Sequence, residues 1–224
     1  MDAATTWLLA LMSTFAPPER AAIERPFPGW QETVEDRRAR YEAIAAAVRT
    51  VAYDPEEKPV FGGPHGRART AALLLAIAWH ESGYARDVDL GPCWRGRAND
   101  SSRCDFGRAH CLLQVHARDG KTREGWTPAE LVADRAKCFR AGLHLVQSSF
   151  AACRANPAKH RLCAYASGRC SAGQAGSERL LALAERFATR LPIPGRDADN
   201  MEKGKENEKA KAPPPGPPPA PPPP

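Results

Sequence analysis

One carboxylate stands out by its surroundings. The stretch AIAWHESGY, residues 76–84, closes an apolar run with Glu81. A carboxyl emerging from an apolar helix is poorly solvated, which favours its protonated form and suits a general acid. The plain alternative is a Glu at a helix C-terminus that points into water. His80-Glu81 also invites a zinc-protease reading, but the second His of H-E-x-x-H would fall at position 84, where Tyr84 stands. His80 then reads as a packing or surface residue, and neither a metal site nor a cofactor is expected. Two further stretches follow Glu81 in order: DFGRAHCLLQVH, residues 105–116, after a loop, and LCAYASGRC, residues 162–170, beyond the capped helix.

The seven cysteines all lie between Cys93 and Cys170, with no C-x-x-C among them. Zinc ribbons and redox pairs need closely paired thiols, so this spacing argues against both. Two or three disulfides in an oxidising compartment are the natural reading, with one thiol left over. The alternative is a set of buried, reduced cysteines acting as small apolar side chains.

The elements that must carry these groups can be read from periodicity. Ala3 to Phe15 reads as a first helix stopped by Pro17-Pro18. A signal peptide there is the weaker reading, since Asp2 stands where a basic residue is wanted and no clean cleavage site follows. Gly29 to Tyr53 reads as a long amphipathic helix, with Tyr41, Ile44, Val48 and Val51 at helical spacing. Residues 54–67, with three prolines and three glycines, form a loop. Arg69 to Tyr84 reads as a helix whose centre, Ala71 to Trp79, is apolar on every face, and such a helix belongs in the middle of a domain. Asp87 to Asp119 reads as irregular or as short strands pinned by cysteines. Thr127-Pro128-Ala129-Glu130 is a capping box with Pro at the first helical position, opening a helix to about Cys153. A short helix around Leu162 to Ala166 and another from Gly176 to Arg190 complete the body. From about Arg196 charged residues give way to a final run in which 10 of the last 12 residues are Pro, a composition expected to stay disordered.

Taken in order, Glu81-Ser82, Cys111-Leu112-Leu113-Gln114 and Ala164-Tyr165-Ala166-Ser167-Gly168 resemble the soluble lytic transglycosylase family, relatives of goose-type lysozyme. That family shows an apolar helix ending in Glu-Ser, then a Gly-Leu-Met-Gln-like segment, then an Ala-Tyr-Asn-x-Gly-like segment. The resemblance covers about residues 67–190. It implies a mainly α, lysozyme-like α+β fold: a helical bundle with a small irregular or β lobe and a cleft between lobes. Together with the periodicity and composition it divides the chain into 1–66, N-terminal helices packed on the body, 67–195, the lysozyme-like transglycosylase domain, and 196–224, a disordered charged and Pro-rich tail. Glu81 would be the catalytic acid and base, and Tyr165 would sit beside it and hydrogen-bond it. Gln114 would contact the saccharide. Ser82 is the remaining substrate-side candidate, though it reads more readily as a support for the helix end. The partner implied is a peptidoglycan glycan strand, cut by a monomer in the cell envelope (periplasm or outside the cell) or delivered by a phage. Three departures stand out. Cys111 occupies a usual Gly position, Ala166 replaces a usual Asn, and the gap between Glu81 and Gln114 is long enough to hold a loop that a Cys93–Cys104 bridge would pin.

Composition excludes little beyond this. Lys and Arg exceed Asp and Glu by 32 to 26, which suits an anionic partner without identifying one. No base-reading motif and no Lys/Arg cluster marks a nucleic-acid face. No apolar stretch reaches the ~18–20 residues of a membrane span, so a transmembrane protein is not expected. The rivals to a transglycosylase are a lysozyme-type hydrolase, using Asp87, Asp89 or Asp105 as a second carboxylate, and a catalytically silent wall-binding module.

Overall fold

The computed structural model describes residues 1–19, 32–91, 104–105 and 107–194. Residues Met1–Ile193 form one compact unit. The C-terminal tail reading falls on residues outside the described ones, as does the start of the helix expected from Gly29. The described chain is mainly helical, with one two-stranded antiparallel hairpin.

The central element is α3 (Gly66–Ser82), in which every residue from Ala71 to Ala78 has no exposed surface. A helix apolar all round must be wrapped on every side. It is wrapped by α1 (Ala3–Phe15), α2 (Val34–Ala52), α6 (Arg135–Ala152) and α8 (Gln174–Arg190). Its start needs glycine at Gly66, where a Cβ would collide with the Phe61 carbonyl. Its end needs glycine at Gly83, whose φ of 61° closes the helix with its N–H on the Trp79 carbonyl. The helix therefore stops at Ser82, and Tyr84 lies beyond the cap rather than in the last turn.

The first 66 residues share one core with the rest, through Trp7, Leu11, Tyr41, Ile44 and Val48. Trp7 donates its indole N–H to the Leu191 carbonyl, and Phe15 stacks on Phe187 at 3.8 Å, so the two ends of the unit are fastened together. Asp2 caps α1 and Thr33 caps α2 through side-chain oxygens, the ordinary way to satisfy a first helical turn.

Two features depart from the sequence reading. The helix expected from Thr127 to Cys153 is two helices, α5 (Pro128–Ala133) and α6, broken at Asp134. The capping box at Thr127 and Glu130 is present in full, but Asp134 leaves the helical conformation and accepts from the backbone N–H groups of Ala136 and Lys137, capping a second helix. Beyond Asp87 the short strands that the sequence allowed are present, and the departure is a helix ahead of them. The region begins with α4 (Arg86–Leu90), then carries β1 (Ala109–His110) paired with β2 (Val115–His116). The chain then closes through α5, α6, a 3₁₀ turn at Ala158–His160, α7 (Cys163–Ser167) and α8. Among the described residues no helix is long and apolar enough to cross a membrane.

Candidate functional site

The end of α3, the β1–β2 hairpin, α6 and α7 enclose a cleft of about 1350 Å³. That exceeds the ~300–1,000 Å³ of an ordinary small-molecule pocket and suits an extended ligand. Glu81, Gln114 and Tyr165, from three separate parts of the chain, all line it. Ser82 does not. Its hydroxyl donates to the Ala78 carbonyl at 2.6 Å and accepts from the Tyr84 N–H, and the residue is buried, so its part is to support the helix end.

Glu81 sits one residue before the last of α3, its side chain 28% exposed, with Oε1 3.4 Å from His80 Nδ1. Behind it the chain is clamped. The Tyr84 phenol donates to the Leu75 carbonyl, and the Tyr84 carbonyl accepts from Arg40 Nη1 at 2.8 Å. The Arg40 guanidinium also grips both oxygens of Glu32, at 2.6 and 2.8 Å, and lies 3.6 Å from Asp89. Asp89 in turn takes a two-pronged contact from Arg135 at 2.8 and 2.7 Å. A buried charge is tolerable only when paired in this way.

That network corrects the expectation for two carboxylates. Asp87 and Asp89, named as candidates for a second carboxylate, are buried, at 5% and 2% exposure. Neither lines the cleft. The cause is long-range: Arg135, 46 residues away, and Arg40 draw Asp89 inward. Asp105 is different. It lines the cleft, 40% exposed at its side chain, in contact with Arg108 at 3.1 Å and with His116 at 3.7 Å.

Tyr165 needs a second correction. Its hydroxyl donates to the Leu113 carbonyl at 3.1 Å rather than to Glu81. A buried backbone carbonyl requires a donor, and the turn carrying Leu113 supplies one that Tyr165 can reach. Glu81 is still felt: burial first, and then the Glu81 charge, push the phenol well above its ordinary pKa. Tyr165 thus stays neutral beside the acid and ties α7 to the hairpin.

The hairpin wall is built from unusual backbone. Cys111 and Gln114 adopt positive φ, 56° and 49°. Cys111 thus holds a left-handed turn of the kind that favours glycine, and a bridge to Cys138 on α6 fastens it. Gln114 donates its amide to the Cys111 carbonyl at 3.1 Å, leaving its amide oxygen without a partner among the described residues. Gly142 on α6 admits the buried Leu113, whose side chain fills the space a Cβ would take. Cys153 and Cys170 form a second bridge, and Cys163 is free and buried. Cys104 is disulfide-bonded, as the inserted-loop reading required, and Cys93 lies outside the described residues.

His110 was not singled out by its sequence. It is 6% exposed, lines the cleft, and its Nδ1 is buried without a hydrogen-bond partner. Burial, and then the nearby His116, hold its pKa below the ordinary value, so the ring is neutral at pH 7. Nothing in local sequence marks it, because its burial comes from the hairpin fold. Among the described residues no group of three or more His, Cys, Asp or Glu side chains is arranged to hold a metal ion.

The arrangement offers one half-sunken carboxyl, an amide oxygen and a neutral imidazole around a large cleft, with one additional carboxylate at its hairpin side. Comparison of the chain with protein-family models, curated proteins and solved structures finds no match in any of the three.

Proposed function

We propose that the protein cleaves the glycan strands of peptidoglycan as a lytic transglycosylase, acting as a monomer in an oxidising compartment of the cell envelope or on walls reached from outside. The single observation that supports this reading is the convergence of Glu81, Gln114 and Tyr165 on one cleft. A mainly helical body with a small hairpin fits the lysozyme-like fold that the three motifs imply. The bridges at Cys111–Cys138 and Cys153–Cys170 fit an oxidising environment.

In this reading Glu81 gives its proton to the glycosidic oxygen between N-acetylmuramic acid and N-acetylglucosamine. The C1–O bond breaks, and the leaving sugar departs as an alcohol. The muramic 6-hydroxyl of the same residue then attacks C1, and its proton returns to Glu81, leaving a 1,6-anhydro sugar. One carboxylate serves both steps. The second reading is hydrolysis, favoured by the position of Asp105 in the cleft. A two-carboxylate scheme needs a partner about 5–9.5 Å from the acid.

Glu81→Gln should lower lytic activity on purified wall by at least ~10²-fold, the lower end of a general acid's contribution, with unfolding unchanged. Undiminished clearing by that variant in a zymogram would remove Glu81 as the acid, whereas no clearing by the unsubstituted chain would leave a silent wall-binding module. Tyr165→Phe should reduce activity less. Loss of its bond to Leu113 should cost about 0.5–1.5 kcal/mol of stability.

A further inference from the structure

His110 is held more firmly than a bystander needs to be. It pairs with Val115 across the hairpin, and the residue after it is bridged to Cys138 on α6. The residue is 6% exposed, yet its ring makes no hydrogen bond to any described residue, and Nδ1 is wholly buried. A buried polar atom without a partner calls for a reason. An unpaired buried N–H is rarer than an acceptor with a spare lone pair, so the proton belongs on the other nitrogen, Nε2. Because the residue lines the cleft, that nitrogen is the group a ligand can reach.

We infer that His110 is a specificity-determining residue that donates a hydrogen bond from Nε2 to the acetamido carbonyl of an N-acetylhexosamine bound in the cleft. This rests on the glycan-cleaving reading above. The acetamido oxygen is the strongest neutral acceptor on such a strand, and a neutral, fixed N–H donor matches it. A sugar bearing a hydroxyl in that place offers a weaker acceptor at a different reach. Sites built to hydrogen-bond one substrate group discriminate against analogues that lack it. Burial, with His116 nearby, keeps the ring neutral, so the donor does not change character near pH 7.

The test is calorimetric binding of two neutral β-1,4-linked tetrasaccharides, one of N-acetylglucosamine and one of glucose, to the full chain carrying Glu81→Gln. The acetylated ligand should bind about 10-fold or more tightly. Adding His110→Phe should reduce that preference by about 5–10-fold, the worth of one neutral hydrogen bond. His110→Gln, whose amide reaches the Nε2 position, should keep it within about 3-fold on the same scale. His110→Asn, whose shorter amide reaches only the Nδ1 position, should lose it as Phe does, and serves if the Phe variant does not fold. An undiminished preference in the Phe or Asn variant would overturn the role of His110 while leaving the cleft reading in place. Failure of the Glu81→Gln chain to bind either oligosaccharide would overturn both.

Discussion

The two sides of the cleft are built by opposite means. Glu81 comes from a helix with a fully buried centre, and the chain just past it is fastened by an ion-pair network among Arg40, Glu32, Asp89 and Arg135. The partners in that network come from distant parts of the sequence, and Arg40, Glu32 and Asp89 are almost wholly out of water. The hairpin side depends mainly on local devices, namely left-handed turns at Asp105, Cys111 and Gln114 and contacts of Asp105 with Arg108 and His116 that water reaches freely, with one disulfide to α6. The acid is thus set by burial, and the surface facing it by turn geometry. Each side should fail in its own way.

The largest effect should come from the buried network. Arg40→Ala leaves Glu32 and Asp89 with less compensation for burial and takes the donor from the Tyr84 carbonyl. Removing one partner of a buried pair costs about 3–5 kcal/mol, and urea unfolding should read a loss of that size. Wall-lytic activity per folded molecule should fall as well, because the segment after Glu81 loses its anchor. A loss below about 1 kcal/mol, the range of exposed pairs, would show that the two sides are not so different.

Opening the Cys111–Cys138 bridge with paired Ser substitutions should come next. A bridge spanning 27 residues contributes about 3–4 kcal/mol on the chain-entropy model. The sharper expectation concerns where the damage appears. Gln114 leans on the Cys111 carbonyl, so the wall should relax and affinity for glycan should fall, while the helical side keeps its hydrogen-exchange protection. Uniform loss of protection over α3 would instead make the hairpin part of the same cooperative unit.

The same contrast decides what was legible in the sequence. The first helix was readable to the residue, Ala3–Phe15, and so was the capping box at Thr127, because both are specified within a few neighbouring residues. The burial of α3 was readable because no face of it is polar. The break at Asp134 was not, since an Asp inside an apolar pattern does not announce that it will cap. Nor was the burial of Asp87 and Asp89: next to Arg86 they look solvated, and for Asp89 the partners that draw it inward come from α2 and α6. Tyr165 lines the same cleft as Glu81, but its acceptor was not legible, because that partner is a backbone carbonyl 52 residues away. Motifs located the groups that line the cleft, but hydrogen-bond partners came from the tertiary fold.

The smallest expected effect is also the one that separates the two chemistries. Of the three carboxylates that could have assisted Glu81, only Asp105 lines the cleft, since Asp87 and Asp89 are buried away from it. The question of a second carboxylate therefore reduces to one residue. Asp105 is well exposed, and its contacts to Arg108 and His116 are of the surface kind, so Asp105→Asn should change stability by less than about 1 kcal/mol. If the muramic 6-hydroxyl attacks, no second carboxylate is needed, and the variant should keep activity within about 5-fold, the kinetic equivalent of about 1 kcal/mol. Its products, like those of the unsubstituted chain, should be 1,6-anhydromuropeptides, each one water lighter in the mass spectrum than a hydrolysis product. If water attacks instead, Asp105 must activate it or form the covalent intermediate, and the same variant should lose activity on the scale of Glu81→Gln, about 10²-fold or more. Reducing-end muropeptides together with that loss would make the enzyme a hydrolase whose second carboxylate stands on the hairpin side. Anhydro products with little loss would leave Asp105 as a brace for the turn, and Glu81 as the only carboxylate in the chemistry.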